Sequence, residues 1–262
     1  MELGRTPKMA TMTCLAASLF LSGVAGAPAA KPHLIFVMAD DQGHKNGYLN
    51  PALITPHTHE IVAEGVRFLN HYVFKFCSPT RSSFLSGRLP IHVNMENSAT
   101  EQPRAGVEAN FTMVSEVLHE MGYKSAHVGK WHAGQASNLH VPKGRGFDQA
   151  LSFFNFGEDH YTQVRGGSAL SKSMLAAQGY DSPDDPGACG RAVDLWGLNG
   201  PCQLNGTYGG YIFTNEVVRV VEEHDKSSPL FSESLRGFLK AFLQHCPKDT
   251  QKPLSAASPA RF

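Results

Sequence analysis

Residues 34–39 (LIFVMA) form an unbroken apolar run that stops at two adjacent aspartates, Asp40 and Asp41. A short run that is apolar at every position suits a strand covered on both faces. That requirement points to a buried, parallel strand inside a layered sheet, with two carboxylates at its C-terminal end. Downstream punctuation agrees. Thr55-Pro56 opens a helical stretch that Gly65 closes. Residues 66–76 alternate as a strand does. Ser78-Pro79 starts a second helix that Gly87 stops, and residues 111–121 carry helical spacing with Gly122 just beyond. Residues 125–128 predict a short strand, 133–210 a long loop-dominated region rich in Gly, Asp, Asn and Ser, and 211–221 another helix. Strands alternating with helices predict an α/β fold around a central sheet. At 262 residues with 42% hydrophobic side chains, the chain is long enough to bury a sizeable core.

The N-terminus and the C-terminus read differently from this body. Arg5 and Lys8 precede a short apolar run, residues 14–25, and the small residues Ala25, Gly26 and Ala27 follow it. This layout predicts a secretory signal over residues 1–30. The run is too short to span a bilayer comfortably, and no later segment is long and apolar enough to do so. In an oxidising compartment Cys189 and Cys202, flanking a loop rich in Gly, Asp and Trp, are natural disulfide partners. Cys14 leaves with the signal, and Cys77 and Cys246 remain. Asn110-Phe111-Thr112 and Asn205-Gly206-Thr207 are glycosylation sequons. Lys plus Arg and Asp plus Glu both number 23, so the formal charge is zero and there is no electrostatic footprint for nucleic acid. The expected domain ends at residue 230. Residues 231–262 lack a clean strand or helix boundary and end rich in Pro, Ser and Ala, which predicts a divergent tail.

Three groups of residues carry chemistry. Asp40 and Asp41 end a buried strand, where open α/β sheets bind ligands. Their charges repel unless a cation sits between them, and hard oxygens suit Ca²⁺ or Mg²⁺; a strand simply ending in an Asp-capped turn is the plainer alternative. Cys77 lies at a helix N-terminus, which favours anions, and Arg81 follows one turn along the same face. On those residues alone, a structural cysteine and a thiolate nucleophile of the cysteine-phosphatase kind both remain open. Lys130 and His132 follow a strand on one side of the extended chain, a point charge beside a proton donor.

Taken together, these residues resemble the sulfatase family. Residues 77–88, CSPTRSSFLSGR, are similar to the Cys-x-Pro-x-Arg signature with its terminal Gly-Arg. Residues 122–132, GYKSAHVGKWH, are similar to the second signature, and Asp40-Asp41 matches the N-terminal metal-ligand pair. A Gly-x-Gly-Phe-Asp run over residues 144–148 brings the likeness nearest to the arylsulfatase B-like branch. Thr80 and Ser86 depart from the commoner residues at their positions.

The resemblance implies an alkaline-phosphatase-like sandwich, its central and largely parallel sheet flanked by helices, incomplete at the C-terminus over residues 31–230. It implies that a formylglycine-generating enzyme oxidises Cys77 to formylglycine, whose hydrate attacks the sulfur of a sulfate ester and then releases sulfate. By the same resemblance Asp40, Asp41 and the residue at 77 bind one Ca²⁺, Arg81 orients the formylglycine, Lys130 neutralises sulfate charge, and His132 assists proton transfer. It places the protein in the secretory pathway, lysosomal or extracellular, acting on an aryl or carbohydrate sulfate. The family's later metal ligands, second lysine and second histidine have no recognisable counterpart, and His245 is a weak match. A truncated product of impaired activity is therefore expected. A related phosphoesterase and a non-catalytic secreted glycoprotein fragment are the competing readings.

Overall fold

A computed structural model of the chain describes residues 30–43, 47, 49–97, 105–163, 194–202, 204 and 206–235. Nearly all of the expected leader, and Cys189, Asn205, His245 and Cys246, lie outside these residues.

Six strands form one mixed sheet. They are β1 (Leu34–Met38), β2 (Lys124–Lys130), β3 (Gln149–Phe153), β4 (Leu195–Gly197), β5 (Gly200–Pro201) and β6 (Leu230–Leu235), in the spatial order β1-β6-β2-β3-β4-β5. The first four in that order run parallel, and β4 and β5 are antiparallel additions at one edge. The helices are α1 (Pro56–Glu64), α2 (Cys77–Ser86), α3 (Val114–Glu120) and α4 (Gly209–Glu223).

The central strand β2 is buried from Ser125 to Lys130, so each of its faces meets a separate layer. On one face Leu85 of α2 and Leu118 of α3 pack with Met113, Trp131, Phe147 and Phe231. On the other, Ile212, Phe213 and Val217 of α4 cover Val128, Phe153 and Leu195, and Val220 covers Ala126 and Leu230. These α4 positions recur at helical spacing, which is why one stripe of that helix faces the sheet. The result is the three-layer α/β arrangement that the opening apolar run called for.

Local chemistry sets the element ends. Thr80 of α2 donates its hydroxyl to the carbonyls of Phe74 and Phe76 at 2.8 and 2.7 Å, bracing the turn that enters the helix. Gly87 leaves α2 at φ +64°, a left-handed turn that glycine adopts without a Cβ clash. Glu116 reaches back to the Met113 N–H at 2.7 Å and so fixes the start of α3. Asp148 accepts the Ser125 N–H at 2.9 Å, tying the start of β3 to β2.

Two sequence expectations need correction and a third gains detail. Residues 66–76 form no strand, and Val66, Phe68, Leu69, Tyr72 and Val73 are exposed. Alternation supplies the propensity, but a strand exists only by pairing, and no described strand lies beside this one. The loop-dominated stretch 133–210 also supplies the short strands β3, β4 and β5. Gln149 and Ser152 interrupt the apolar pattern of β3 and hide it. The expected domain end at residue 230 falls inside β6, whose residues 231–235 lie between β1 and β2. Ser232, Glu233 and Ser234 occupy buried positions there, and that polarity is what disguises the strand.

Candidate active site

The parallel sheet brings the carboxyl ends of β1 and β2 to one side, with β6 between them. Asp40 and Asp41 follow β1 directly, and Lys130 and His132 end and follow β2. Such a crest is where α/β sheets collect ligand-binding groups. Helix α2 then points its first turn at the same place, so Cys77 and Arg81 join them.

Asp40 is the hub. Lys130 Nζ lies 3.0 Å from Asp40 Oδ2, and Arg81 Nη2 lies 3.3 Å from the same oxygen. Cys77 Sγ donates to Asp40 Oδ1 at 3.4 Å. Arg81 is itself anchored, because its Nη1 donates to the Lys130 carbonyl at 2.7 Å. Burial alone would raise the Asp40 carboxyl; the charges of Lys130 and Arg81 and the hydrogen bonds from Lys130 and Cys77 outweigh it and hold the group below its ordinary value.

His132 is fully buried, and among the described residues neither ring nitrogen has a well-formed hydrogen bond, the Asn97 backbone giving only a weak one. Its ring lies 5.4 Å from that of Phe156. Burial, then Lys130 and Arg81, push its pKa down to about 3 against the smaller opposing pull of Asp40 and the Asn97 backbone. The imidazole is therefore neutral near pH 7, with an unshared nitrogen to offer a ligand. Asp41 and His132 both sit at positive φ, +48° and +47°. Side-chain-bearing residues rarely take that conformation, and here it occurs at two neighbours of the same cluster.

Asp40, Asp41 and Cys77 offer ligand atoms that all lie within 4.8 Å of one another. The two carboxylates are hard oxygen donors that suit a hard divalent cation, whereas the Cys77 sulfur is a soft donor and suits one only once replaced by oxygen. All six residues singled out for chemistry in the sequence thus belong to one neighbourhood. Asn110 is exposed at the surface. Cys202 forms no disulfide within the described residues, and its expected partner Cys189 lies outside them.

Sequence reasoning overlooked two asparagines that hold this crest. Asn97 Oδ1 accepts the Ser78 N–H at 3.0 Å, satisfying a donor of the first turn of α2. Asn94, buried, donates to Ser78 Oγ at 2.8 Å. Both follow a short 3-10 turn at Pro90–His92. Lone asparagines after a proline turn carry no spacing signal that would set them apart.

The chain was compared with known proteins. The Sulfatase family model matches residues 32–220. Mouse arylsulfatase J is 34% identical over 215 residues, covering 80% of this chain and 32% of that protein. Human arylsulfatase A is 34% identical over 140 residues, covering 51% of this chain and 28% of its own length. The chain thus spans about a third of the curated relatives it matches. Among solved structures, the crystal structure of Ps i-CgsB superposes with a TM-score of 0.62 at 25% identity, covering 78% of this chain and 44% of that one. A putative sulfatase from Bacteroides fragilis gives 0.57 at 20% identity over 80% of this chain and 45% of its own, a likeness of fold. The matched stretch takes in the ends of β1 and β2 and the helix α2 that bring the candidate residues together, and the chain belongs to the sulfatase family.

Proposed function

We propose that this chain carries the catalytic centre of a sulfuric ester hydrolase acting on sulfate monoesters. The observation supporting this reading is the convergence of Cys77, Arg81, Lys130 and His132 on Asp40 at the carboxyl ends of β1 and β2. Cys77 converted to formylglycine supplies, when hydrated, a hydroxyl nucleophile at the N-terminus of α2. One Ca²⁺ on Asp40, Asp41 and residue 77 supplies positive charge at a sulfate oxygen.

The chain's own residues do the rest. Arg81, fixed by the Lys130 carbonyl, holds the side chain at 77 and Asp40 in register. Lys130 brings its ammonium to the sulfate oxygens and neutralises the charge of the group under attack, while the departing alcohol oxygen takes the electrons of the broken S–O bond. Neutral His132 hydrogen-bonds the hydroxyl at 77 and assists its proton transfer. The low dielectric around these buried groups strengthens each interaction. Asp40, Asp41 and Cys77 form the one such ligand trio among the described residues.

By the same reading the chain matures in the secretory pathway, lysosomal or extracellular, where a formylglycine-generating enzyme meets Cys77. Asn110 and Asn205 carry glycans, and Cys189 pairs with Cys202. Among the described residues no helix is long and apolar enough to cross a membrane. The test is expression alongside the converting enzyme, with mass spectrometry of the peptide containing residue 77 and assays on 4-methylumbelliferyl sulfate and phosphate. An aldehyde at 77 and turnover of the sulfate, lost in Cys77→Ala, are expected. An unmodified thiol throughout, or preference for the phosphate, overturns the reading.

A further inference from the structure

One buried acid has no part in the mechanism above. Glu233, in the middle of β6, is 2% exposed, and neither carboxylate oxygen has a hydrogen-bond partner. In register it lies between Phe36 of β1 and His127 of β2. Side chains alternate along a strand, so Glu233 shares a face with Phe231, which packs in the cluster containing Leu85 of α2. Phe36, its neighbour across the ladder, stacks on Phe84 of α2 with ring centroids 3.8 Å apart. Glu233 therefore lies under α2, and Arg81 is the α2 residue one turn before Phe84 and Leu85.

Arg81 shows the complementary deficit. Its Nη atoms reach the Lys130 carbonyl and Asp40, but its Nε is buried without a partner. His127 is engaged elsewhere, its Nδ1 2.6 Å from Ser152 Oγ. Of the charged groups around Glu233, Arg81 is the one that acts on it, opposing the effect of burial. An orphaned donor and an orphaned acceptor thus sit on the same side of the sheet. Each is unfavourable alone in a dry interior, and joining them relieves both.

We infer that Glu233 is a positioning residue of the site: its carboxylate engages Arg81 Nε from the sheet side and fixes the guanidinium that holds residue 77 and Asp40. A salt bridge to Glu233 leaves both Nη atoms free to keep their present partners, so Arg81 gains a third anchor without losing the first two. The pairing itself stands on the packing of β6 under α2. Only its consequence for turnover rests on the sulfate-ester reading.

Two measurements on the full chain test it. The first is the Arg81 Nε–H resonance in a ¹H–¹⁵N spectrum above neutral pH, assigned by its loss in Arg81→Lys. Glu233→Gln and Glu233→Leu are expected to shift this signal and speed its exchange with water. The second is hydrolysis of 4-methylumbelliferyl sulfate, where Glu233→Gln is expected to lower kcat roughly tenfold with KM within about twofold, and Glu233→Asp to recover part of the loss. An Arg81 signal identical in wild type and both charge-removing variants overturns the pairing, whatever the activity. A shifted signal with unchanged kcat overturns the positioning role. Absence of turnover in the wild type counts against the sulfate-ester reading, and the resonance then decides the pairing by itself.

Discussion

Asp40 Oδ2 receives two cations at once, Lys130 at 3.0 Å and Arg81 at 3.3 Å. Arg81 has a second, fixed partner in the Lys130 carbonyl, whereas the Lys130 ammonium has Asp40 as its ion-pair partner. The two are therefore unequal. Arg81 is held by the backbone, and Lys130 is the cation that can turn toward an incoming oxyanion. Truncating Lys130 leaves Asp40 still paired, so the fold should tolerate it. Lys130→Ala is expected to keep the thermal midpoint within a few degrees and to lower kcat on the aryl sulfate by about 100- to 1000-fold, the range for a lost charge-stabilising donor. Arg81→Ala should behave differently. It removes a buried anchor as well as a charge and should lower stability along with activity, by about 3 kcal/mol or more in urea titration. Equal losses of stability in the two variants would contradict this division of labour.

At the scale of elements, β6 is the anomaly. A strand between two parallel neighbours should be apolar on both faces, yet its centre reads Ser232-Glu233-Ser234, with both hydroxyls buried and unpartnered. Ser125 of β2 presents the opposite case, since its hydroxyl donates to the Gly146 carbonyl at 2.7 Å. Serine to alanine should therefore have opposite signs at the two places. Ser232→Ala is expected to stabilise by about 1 kcal/mol, and Ser125→Ala to destabilise by a similar amount, both read as urea midpoints at unchanged slope. The same anomaly explains what the sequence concealed. The apolar run of β1 and the Gly and Pro marks around α1 and α2 are local signals, and the elements form where those signals lie. The two signature motifs placed the site residues because each motif spans one element end, and the parallel sheet does the rest. What was illegible depends on neighbours. Residues 66–76 alternate like a strand but find no described partner, while β6 lacks the pattern of a buried strand and is one because β1 and β2 flank it. Asn94, Asn97 and Glu233 belong to this second kind, since only the packing of distant segments gives them a role.

At the scale of the whole molecule, four buried titratable groups among the described residues act on stability in two opposed pairs. His127 and His132 are both pushed down to about 3, chiefly by burial and then by Arg81 for the first and by Lys130 and Arg81 for the second. From an unfolded value of 6.5, their contribution is whole above pH 6.5 and is lost as pH falls toward 3. Glu233, raised by burial to about 7, and Glu158, raised by burial and by Asp194 and Asp159 to about 8, work the other way. From 4.5 unfolded, their contribution is whole below pH 4.5 and is lost as pH rises through those values. Each group changes stability by at most about 1.4 kcal/mol per pH unit inside its window. Between pH 4.5 and 6.5 two histidines and two glutamates act with opposite sign and nearly cancel. Below that interval the histidines act unopposed, joined by Asp40 and Asp148, whose carboxyls are held low although burial alone would raise them. For Asp40 the cause is Lys130 and Arg81; for Asp148 it is the Ser125 backbone hydrogen bond, then Lys124. Above it the glutamates act unopposed. The cation-free protein is therefore expected to be most stable on a plateau between pH 4.5 and 6.5 and to weaken on both sides. Thermal midpoints in a chelator-containing buffer series from acid to mildly alkaline pH measure it directly. Glu158→Gln should flatten the alkaline limb and leave the acid limb in place, because it removes one of the groups that must ionise inside the fold. A midpoint that climbed steadily through neutrality would mean that the buried glutamates ionise freely, and the dry interior that sets all four values would not exist.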